Sequence, residues 1–337
     1  MSSMDWDATL VSILNNTSSQ LNRYFSIIIF AFGTIGNILN ILVLAEKTFR
    51  SNSCALLFLV SSMANLVTIL SGLIPRLLSG WITDLTNTIS WLCKSRLFLL
   101  WTVRTIALWI IVLAAIDRWL LTSTHIHRRQ FSTLRKAYHG IIMAFIFSII
   151  LNVELFYCYE ANVINAPSKC YGRTDTCRLI TDFSYAFLTN IIPIFFMLVF
   201  GVRTILNVRH TRKRLRPENT STTPIVNQPN RTKKIDRYML VSLLTQVIIL
   251  SIFLLPSAIL KVYSTLTIHY NKSPLQNAIE NFIFNIGVLF SYIGSGSTFY
   301  IFTLCGGKLY RDAVRNLLKQ ILMRIRCKIS ERTLNQT

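Results

Sequence analysis

The amino-acid sequence predicts an all-α membrane protein, a seven-transmembrane helix bundle with a short amphipathic eighth helix. Of its 337 residues, 52% are hydrophobic and only 15% are charged, and the apolar residues fall in blocks too long for the helices of a soluble core. The basic residues avoid these blocks and cluster in alternate connections between them, as orientation signals of membrane proteins do. The formal net charge of +21 is therefore not interpreted as a nucleic-acid-binding surface.

Seven segments are long enough to cross a bilayer. Five of them carry no charge: residues 24–45, 54–75, 183–202, 238–260 and 281–305. The other two carry polar ionisable residues: segment 97–116 contains Arg104, and segment 138–159 contains His139 and Glu154. These spans divide the chain into an extracellular N-terminus (1–23), a seven-transmembrane domain (24–305) and a cytoplasmic amphipathic helix and tail (306–337).

The orientation follows from the distribution of lysine and arginine. The connections after the first, third and fifth segments and the C-terminal tail are strongly basic, which predicts that they are cytoplasmic and that the N-terminus is extracellular. We therefore expect a multi-pass protein of the plasma membrane. Residues 1–23 lack a basic region followed by an apolar one, so no cleavable signal peptide is expected.

Three asparagines on the predicted outer side begin an Asn-x-Ser/Thr sequence and are expected glycosylation sites: Asn15, Asn16 and Asn271. On the inner side, Lys308–Arg326 follows a Gly-Gly pair and alternates apolar and basic residues. That pattern predicts an amphipathic helix on an anionic leaflet. Cys327 at its end is a candidate for palmitoylation.

An acid and an arginine stand side by side at the end of the apolar stretch Ile111–Trp119, as Asp117-Arg118-Trp119. One arginine at the centre of a membrane helix costs roughly 2.5–3.5 kcal/mol. We therefore expect the pair at the membrane edge, facing a partner. On this stretch alone, a positive-inside anchor explains the pattern equally well.

Seven spans, an outer N-terminus and an Asp-Arg-aromatic sequence at the inner end of the third helix together resemble the rhodopsin-like (class A) G-protein-coupled receptors. Further matches, in chain order, are Gly36-Asn37, Cys93 twenty-five residues before Arg118, Pro193, Pro256 and Tyr300. Departures are also present: Asn65 replaces the helix-two aspartate, Leu254 the helix-six tryptophan, and Gly296-Ser297 the Asn-Pro of the helix-seven motif. The chain resembles a divergent, peptide-receptor-like member of that family.

The resemblance implies a receptor that passes an extracellular signal to a heterotrimeric G protein. It assigns coupling and switch roles to Asp117, Arg118, Trp119, Asp236 and Tyr300. Asp236 lies twenty residues before Pro256, about 30 Å at ~1.5 Å per residue, which is level with Arg118. It is either the acid that latches helix three to helix six or a solvated charge.

The family also implies a disulfide from Cys93 to the second outer loop. Cys170 is the preferred partner because it leaves a longer run to Pro193, and Cys177 is the alternative. Both lie in an oxidising compartment if the loop is extracellular.

Arg104 and Glu154 are expected at similar heights in the bundle, where they form an interhelical ion pair or where Arg104 contacts the ligand. Arg76, Lys261 and Glu280 complete a rim of mixed charge. Amine-receptor relatives carry an aspartate where this chain has Leu100, so a peptide, most concretely a neuropeptide, fits best.

Two other functional classes remain open at this point. The first is a chemosensory seven-helix receptor for small molecules. The second is a transporter or channel, which predicts several polar pairs at mid-membrane. No cofactor and no metal are implied, since the seven cysteines form no Cys-x-x-Cys pair and the five histidines are scattered. No nucleophile or carboxylate pair indicates an enzyme.

Overall fold

The computed structural model describes residues 3–79, 85–163, 169–214, 230–267, 269–305 and 307–334. Within these ranges, seven helices are long and apolar enough to cross a membrane: α1 (Trp6–Leu44), α2 (Ser53–Leu78), α3 (Ser90–Thr122), α4 (Leu134–Cys158), α5 (Asp175–Thr211), α6 (Arg237–Leu266) and α7 (Pro274–Gly296). The predicted all-α class and the seven membrane helices are confirmed.

The remaining elements are short or lie after the bundle. Helix α8 (Thr298–Cys305) follows α7, and α9 (Gly307–Leu334) includes the predicted amphipathic segment Lys308–Arg326. Strand β1 (Tyr159–Glu160) pairs antiparallel with β2 (Tyr171–Gly172) in the connection between α4 and α5. The side chain of Cys327 lies outside the described part of the chain.

The outer end of the bundle, as named here, is the end that the charge pattern predicts to be extracellular. At this end the first helix begins much earlier than the apolar pattern predicted. Helical structure runs from Ser3–Gln20 through a π-helical stretch, Leu21–Phe25, into the apolar part of α1. This extension packs beside α7, where Asn285 donates a hydrogen bond to the Ser18 hydroxyl at 2.9 Å.

Helix α3 lies at the centre of the bundle, and its buried residues extend from Cys93 to Arg118. Helices α1 and α7 cross closely near Gly33 and Gly296, because small residues face each other there. A Cβ atom on Gly296 would lie 2.9 Å from the Cα atom of Gly33, and Asn37 donates to the Ser295 carbonyl at 3.2 Å. The glycine that replaces the family's asparagine therefore has a structural reason in this chain, since small residues let helices approach.

Gly296→Asn, which introduces the residue of the family that the sequence resembles, is expected to lower the thermal unfolding midpoint of the purified protein. The added side chain meets the backbone of α1, and overpacking of this kind costs roughly 1–3 kcal/mol. Gly294→Ala is the matched control, because its Cβ atom would meet Phe253 and Leu250 at ordinary distances of 3.4 and 3.5 Å. An unchanged midpoint for Gly296→Asn would show that the crossing is not tight.

Candidate ligand site and inner switch

A cavity of about 930 Å³ opens at the outer end of the bundle. It lies mainly between α6, α7 and the connection that joins them, with contributions from β2 and the start of α5. Charged residues of both signs line it: Arg178, Asp182, Lys272 and Glu280. Glu280 binds the Lys272 ammonium at 2.5 Å, so the predicted rim acid already has a basic partner.

Lys261 occupies a different place from the one that the sequence predicted. It was expected on a charged rim, yet it is buried and forms an ion pair with Asp182 at 2.5 Å. The same carboxylate accepts hydrogen bonds from Tyr171 at 2.6 Å and Thr265 at 2.8 Å. Asp182 and Tyr171 both line the cavity, so this network lies directly at its wall.

Aromatic rings surround the Lys261 ammonium. Its Nζ atom lies 4.6 Å from the ring centroid of Trp101, 5.0 Å from that of Tyr171 and 5.3 Å from that of Tyr185. Cation–π attraction adds to the ion pair, more so where water is excluded. The lysine thereby connects α3, α5, α6 and the β2 strand.

Sequence reasoning missed Asp182 as a site residue. It stands just before the apolar segment 183–202, where the sequence assigns it no partner. Its position near Lys261 depends on how α5 and α6 pack, which no local pattern in the sequence indicates.

Two disulfides hold the connection between α4 and α5. Cys93 is bonded to Cys170, the pairing that the resemblance favoured. Cys177 is bonded to Cys158, a link that sequence analysis missed because Cys158 sits within an apolar segment. The first bond fastens the residue next to Tyr171 to α3, and the second joins the end of α4 to the start of α5.

Arg104 lies deeper in the bundle and is 6% exposed. Its Nη1 and Nη2 atoms donate to the hydroxyls of Tyr185 at 2.9 Å and Ser291 at 2.8 Å. Its guanidinium carbon lies 5.1 Å from the ring centroid of Tyr292. The Nε atom is buried without a hydrogen-bond partner.

The structure does not bring Arg104 and Glu154 together. Glu154 is half-buried near the end of α4, and its carboxylate interacts with the Ser184 hydroxyl instead. The interhelical ion pair between these two residues is therefore absent, and Arg104 keeps only neutral hydrogen-bond partners.

Arg76 lies close to the same cluster, at the outer part of α2. Its Nη1 atom donates to Asn22 at 2.9 Å and to Asn285 at 3.4 Å, and its guanidinium also interacts with the Tyr292 hydroxyl. Tyr292 therefore touches both arginines. A Cβ atom on Gly72 would lie 2.1 Å from that hydroxyl, so a glycine on α2 provides the space for it.

At the inner end, Arg118 is 2% exposed and binds Asp117 at 2.8 Å. It also donates to Asn52 at 3.3 Å. The other oxygen of Asp117 accepts from Ser53 at 2.8 Å and Ser132 at 2.6 Å. The Asp-Arg pair is thus buried among polar partners at the start of α2, just before α2, and in the connection between α3 and α4.

The other predicted switch residues do not all converge on Arg118. Trp119 packs against Phe200 of α5, with ring centroids 5.3 Å apart. Tyr300 stacks on Phe32 of α1 at 3.7 Å and donates to its carbonyl at 3.0 Å. The side chain of Asp236 lies outside the described part of the chain, so its latch with Arg118 stays a prediction.

The three predicted glycosylation asparagines have exposed side chains. Asn15 and Asn16 lie on the N-terminal helical extension, and Asn271 lies in the connection between α6 and α7. Their glycosylation stays a prediction.

The match to a known protein family covers the same helices that form the bundle. Residues 36–296 match the family model described as 7 transmembrane receptor (rhodopsin family). No curated protein matches the chain significantly. The family match spans more than half of the chain and runs from α1 to the last residue of α7. The chain therefore belongs to the rhodopsin family of seven-transmembrane receptors.

Proposed function

We propose that the protein is a G-protein-coupled receptor for an extracellular peptide, and more specifically for a neuropeptide. The observation that carries the proposal is the 930 Å³ outer cavity with basic and acidic side chains in its wall. A peptide presents backbone donors and acceptors together with charges of both signs, so it can satisfy such a wall. A small amine ligand fits less well, because Leu100 occupies the position of the amine-binding aspartate.

Peptide binding at this cavity would replace contacts that the receptor makes with itself. Glu280 is held by Lys272 and by the Tyr263 hydroxyl at 3.1 Å. Both partners line the cavity with it. A basic group on the peptide can take Glu280 as its partner, and an acidic group can take Lys272.

The inner end supports the signalling half of the proposal. Arg118 is buried beside Asp117, and the Asp-Arg-Trp sequence matches the family's G-protein-facing motif. Ligand binding can favour G-protein coupling only if the ligand binds the active arrangement more tightly than the resting one. We expect the Asp117–Arg118 contact to differ between those two arrangements.

The proposal is tested by screening a peptide library against cells that express the receptor, with calcium and cyclic AMP as readouts. At least one peptide should give a concentration-dependent response that is absent from untransfected cells. A response to small odorant-type molecules and to no peptide would instead favour a chemosensory receptor.

Charge reversal locates the peptide site once an active peptide is found. Glu280→Lys is expected to weaken potency at least tenfold, or ~1.4 kcal/mol, because it removes an acid from the cavity wall. Glu160→Lys is the matched control, since Glu160 also pairs with an outer lysine, Lys94 at 3.1 Å, but does not line the cavity. Equal losses of potency in the two variants, at equal surface expression, would contradict this location.

A further inference from the structure

We infer that Arg104, together with Arg76 and Tyr292, forms a site for one anionic group, and that the ligand supplies it as a carboxylate. These three residues, with the Arg104 partners Tyr185 and Ser291, are called the deep cationic cluster. The inference rests on the proposed function, because it names the chemical class of ligand that the receptor takes.

Arg104 carries a positive charge among neutral partners. Arg104 is buried and its hydrogen-bond partners are two hydroxyls. Among the described residues, the buried carboxylate of the outer half is Asp182, which is already bonded by Lys261, Tyr171 and Thr265. Within the described part of the chain, no carboxylate therefore neutralises the Arg104 guanidinium.

Arginine has no alternative way to lose that charge. A buried lysine or carboxyl group can shift its pKa and become neutral, but a guanidinium remains protonated in proteins. An isolated charge in a medium of low dielectric constant is strongly unfavourable. The two hydroxyls and the Tyr292 ring stabilise the Arg104 guanidinium without neutralising it, and a bound anion would supply the opposite charge.

The arrangement of donors suits a carboxylate. The Nε atom of Arg104 lacks a partner, and a neighbouring Nη atom donates only to a neutral hydroxyl. A carboxylate that displaces one hydroxyl can accept two parallel hydrogen bonds, and charge-assisted bonds of this type are about twice as strong as neutral ones. Arg76 interacts with the hydroxyl of Tyr292, whose ring lies next to Arg104, and it adds positive potential.

A chain of side-chain contacts links the outer cavity to this cluster. Tyr171 and Asp182 line the cavity, and Lys261 lies behind them, paired with Asp182. The Tyr185 ring contacts Lys261, while its hydroxyl accepts from Arg104. One tyrosine side chain therefore connects the paired lysine beneath the cavity to the deep cationic cluster.

The test uses purified full-length receptor and follows thermal unfolding in low-salt buffer, in sodium formate and in sodium chloride at equal concentrations. Formate is the carboxylate probe. A ligand that binds only the folded state raises its unfolding temperature. Formate should raise the midpoint of the wild type by about 2–4 °C and should leave that of Arg104→Gln unchanged.

Arg173→Gln is the matched control, because Arg173 is an exposed arginine of the outer loop that lies over Tyr157. It should retain the full formate effect. Arg104→Lys keeps the charge but loses the planar guanidinium that can bind a carboxylate through two parallel hydrogen bonds. Formate should therefore raise its unfolding midpoint by less than that of the wild type. In low-salt buffer, Arg104→Gln should unfold at a higher temperature than the wild type, since the substitution removes an uncompensated charge.

Three results would overturn the inference. These are no formate effect on the wild type, an equal effect on Arg104→Gln, or stabilisation by chloride alone, which would identify a halide site instead of a carboxylate site. The measurement needs neither an agonist nor a G protein. A formate effect without any active peptide would therefore count against the proposed function and not against the anion site.

Discussion

Asp182→Asn is expected to remove most of the receptor from the cell surface. The substitution leaves the buried Lys261 ammonium without its carboxylate partner, while Tyr171 and Thr265 keep a neutral acceptor. Breaking a buried ion pair on one side typically costs ~3–5 kcal/mol, a large share of the roughly 5–15 kcal/mol that stabilises a folded domain. Surface labelling and the unfolding midpoint of the solubilised receptor measure the effect.

A double variant separates the ion pair from the shape of the site. Asp182→Leu with Lys261→Met removes both charges, and replacement of a whole buried pair by apolar residues is often neutral or stabilising. Surface expression should therefore return toward the wild-type level. Glu160→Gln is the control, because it breaks a partly exposed outer pair with Lys94, and pairs near the surface contribute only ~0–1 kcal/mol. Normal expression of Asp182→Asn would show that Lys261 does not depend on this carboxylate.

Arg118→Ala is expected to abolish ligand-driven signalling while the receptor still reaches the surface. The fold should survive because Asp117 retains two hydroxyl donors, Ser53 and Ser132, after the guanidinium is lost. The signal should be lost because Arg118 matches the arginine of the family motif that we propose faces the G protein. Cyclic AMP and calcium responses, normalised to surface expression, provide the measurement.

Arg135→Ala is the matched control for this variant, since Arg135 is an exposed arginine at the start of α4 on the same side of the bundle. It should signal normally. A full response from Arg118→Ala would remove the switch role from this arginine.

Asp236→Ala tests the predicted latch on helix six. A partly exposed pair is worth ~1 kcal/mol, so its loss should shift the resting equilibrium about fivefold toward the active arrangement. Basal signalling without ligand should rise accordingly. Unchanged basal signalling would leave Asp236 as a solvated charge.

The amino-acid sequence by itself determined the class of the protein and the number of membrane-spanning helices in the described residues. A helix must present about twenty apolar residues to cross the hydrocarbon layer, so composition along the chain directly reports each span. The Asp117-Arg118 pair and Cys93 were also recognisable from the sequence. The first two residues are adjacent, and Cys93 lies twenty-five residues before Arg118 on the same helix.

Only the tertiary structure decided which side chains meet. Residue spacing predicts the height of Arg104 and Glu154 along their helices, but it does not predict the rotation of each helix about its axis. Arg104 consequently faces Tyr185 and Ser291, and Lys261 meets Asp182, which lies 79 residues away.

The same limit explains the other differences. The Cys158–Cys177 bond depends on the path of the connection between α4 and α5, and the Gly33–Gly296 contact depends on how closely α1 and α7 cross. The helix from Ser3 extends beyond the apolar span, because backbone hydrogen bonds can continue a helix after its hydrophobic residues end. Packing between helices, which no local pattern reports, therefore sets the partners of the buried charges on which the candidate ligand site depends.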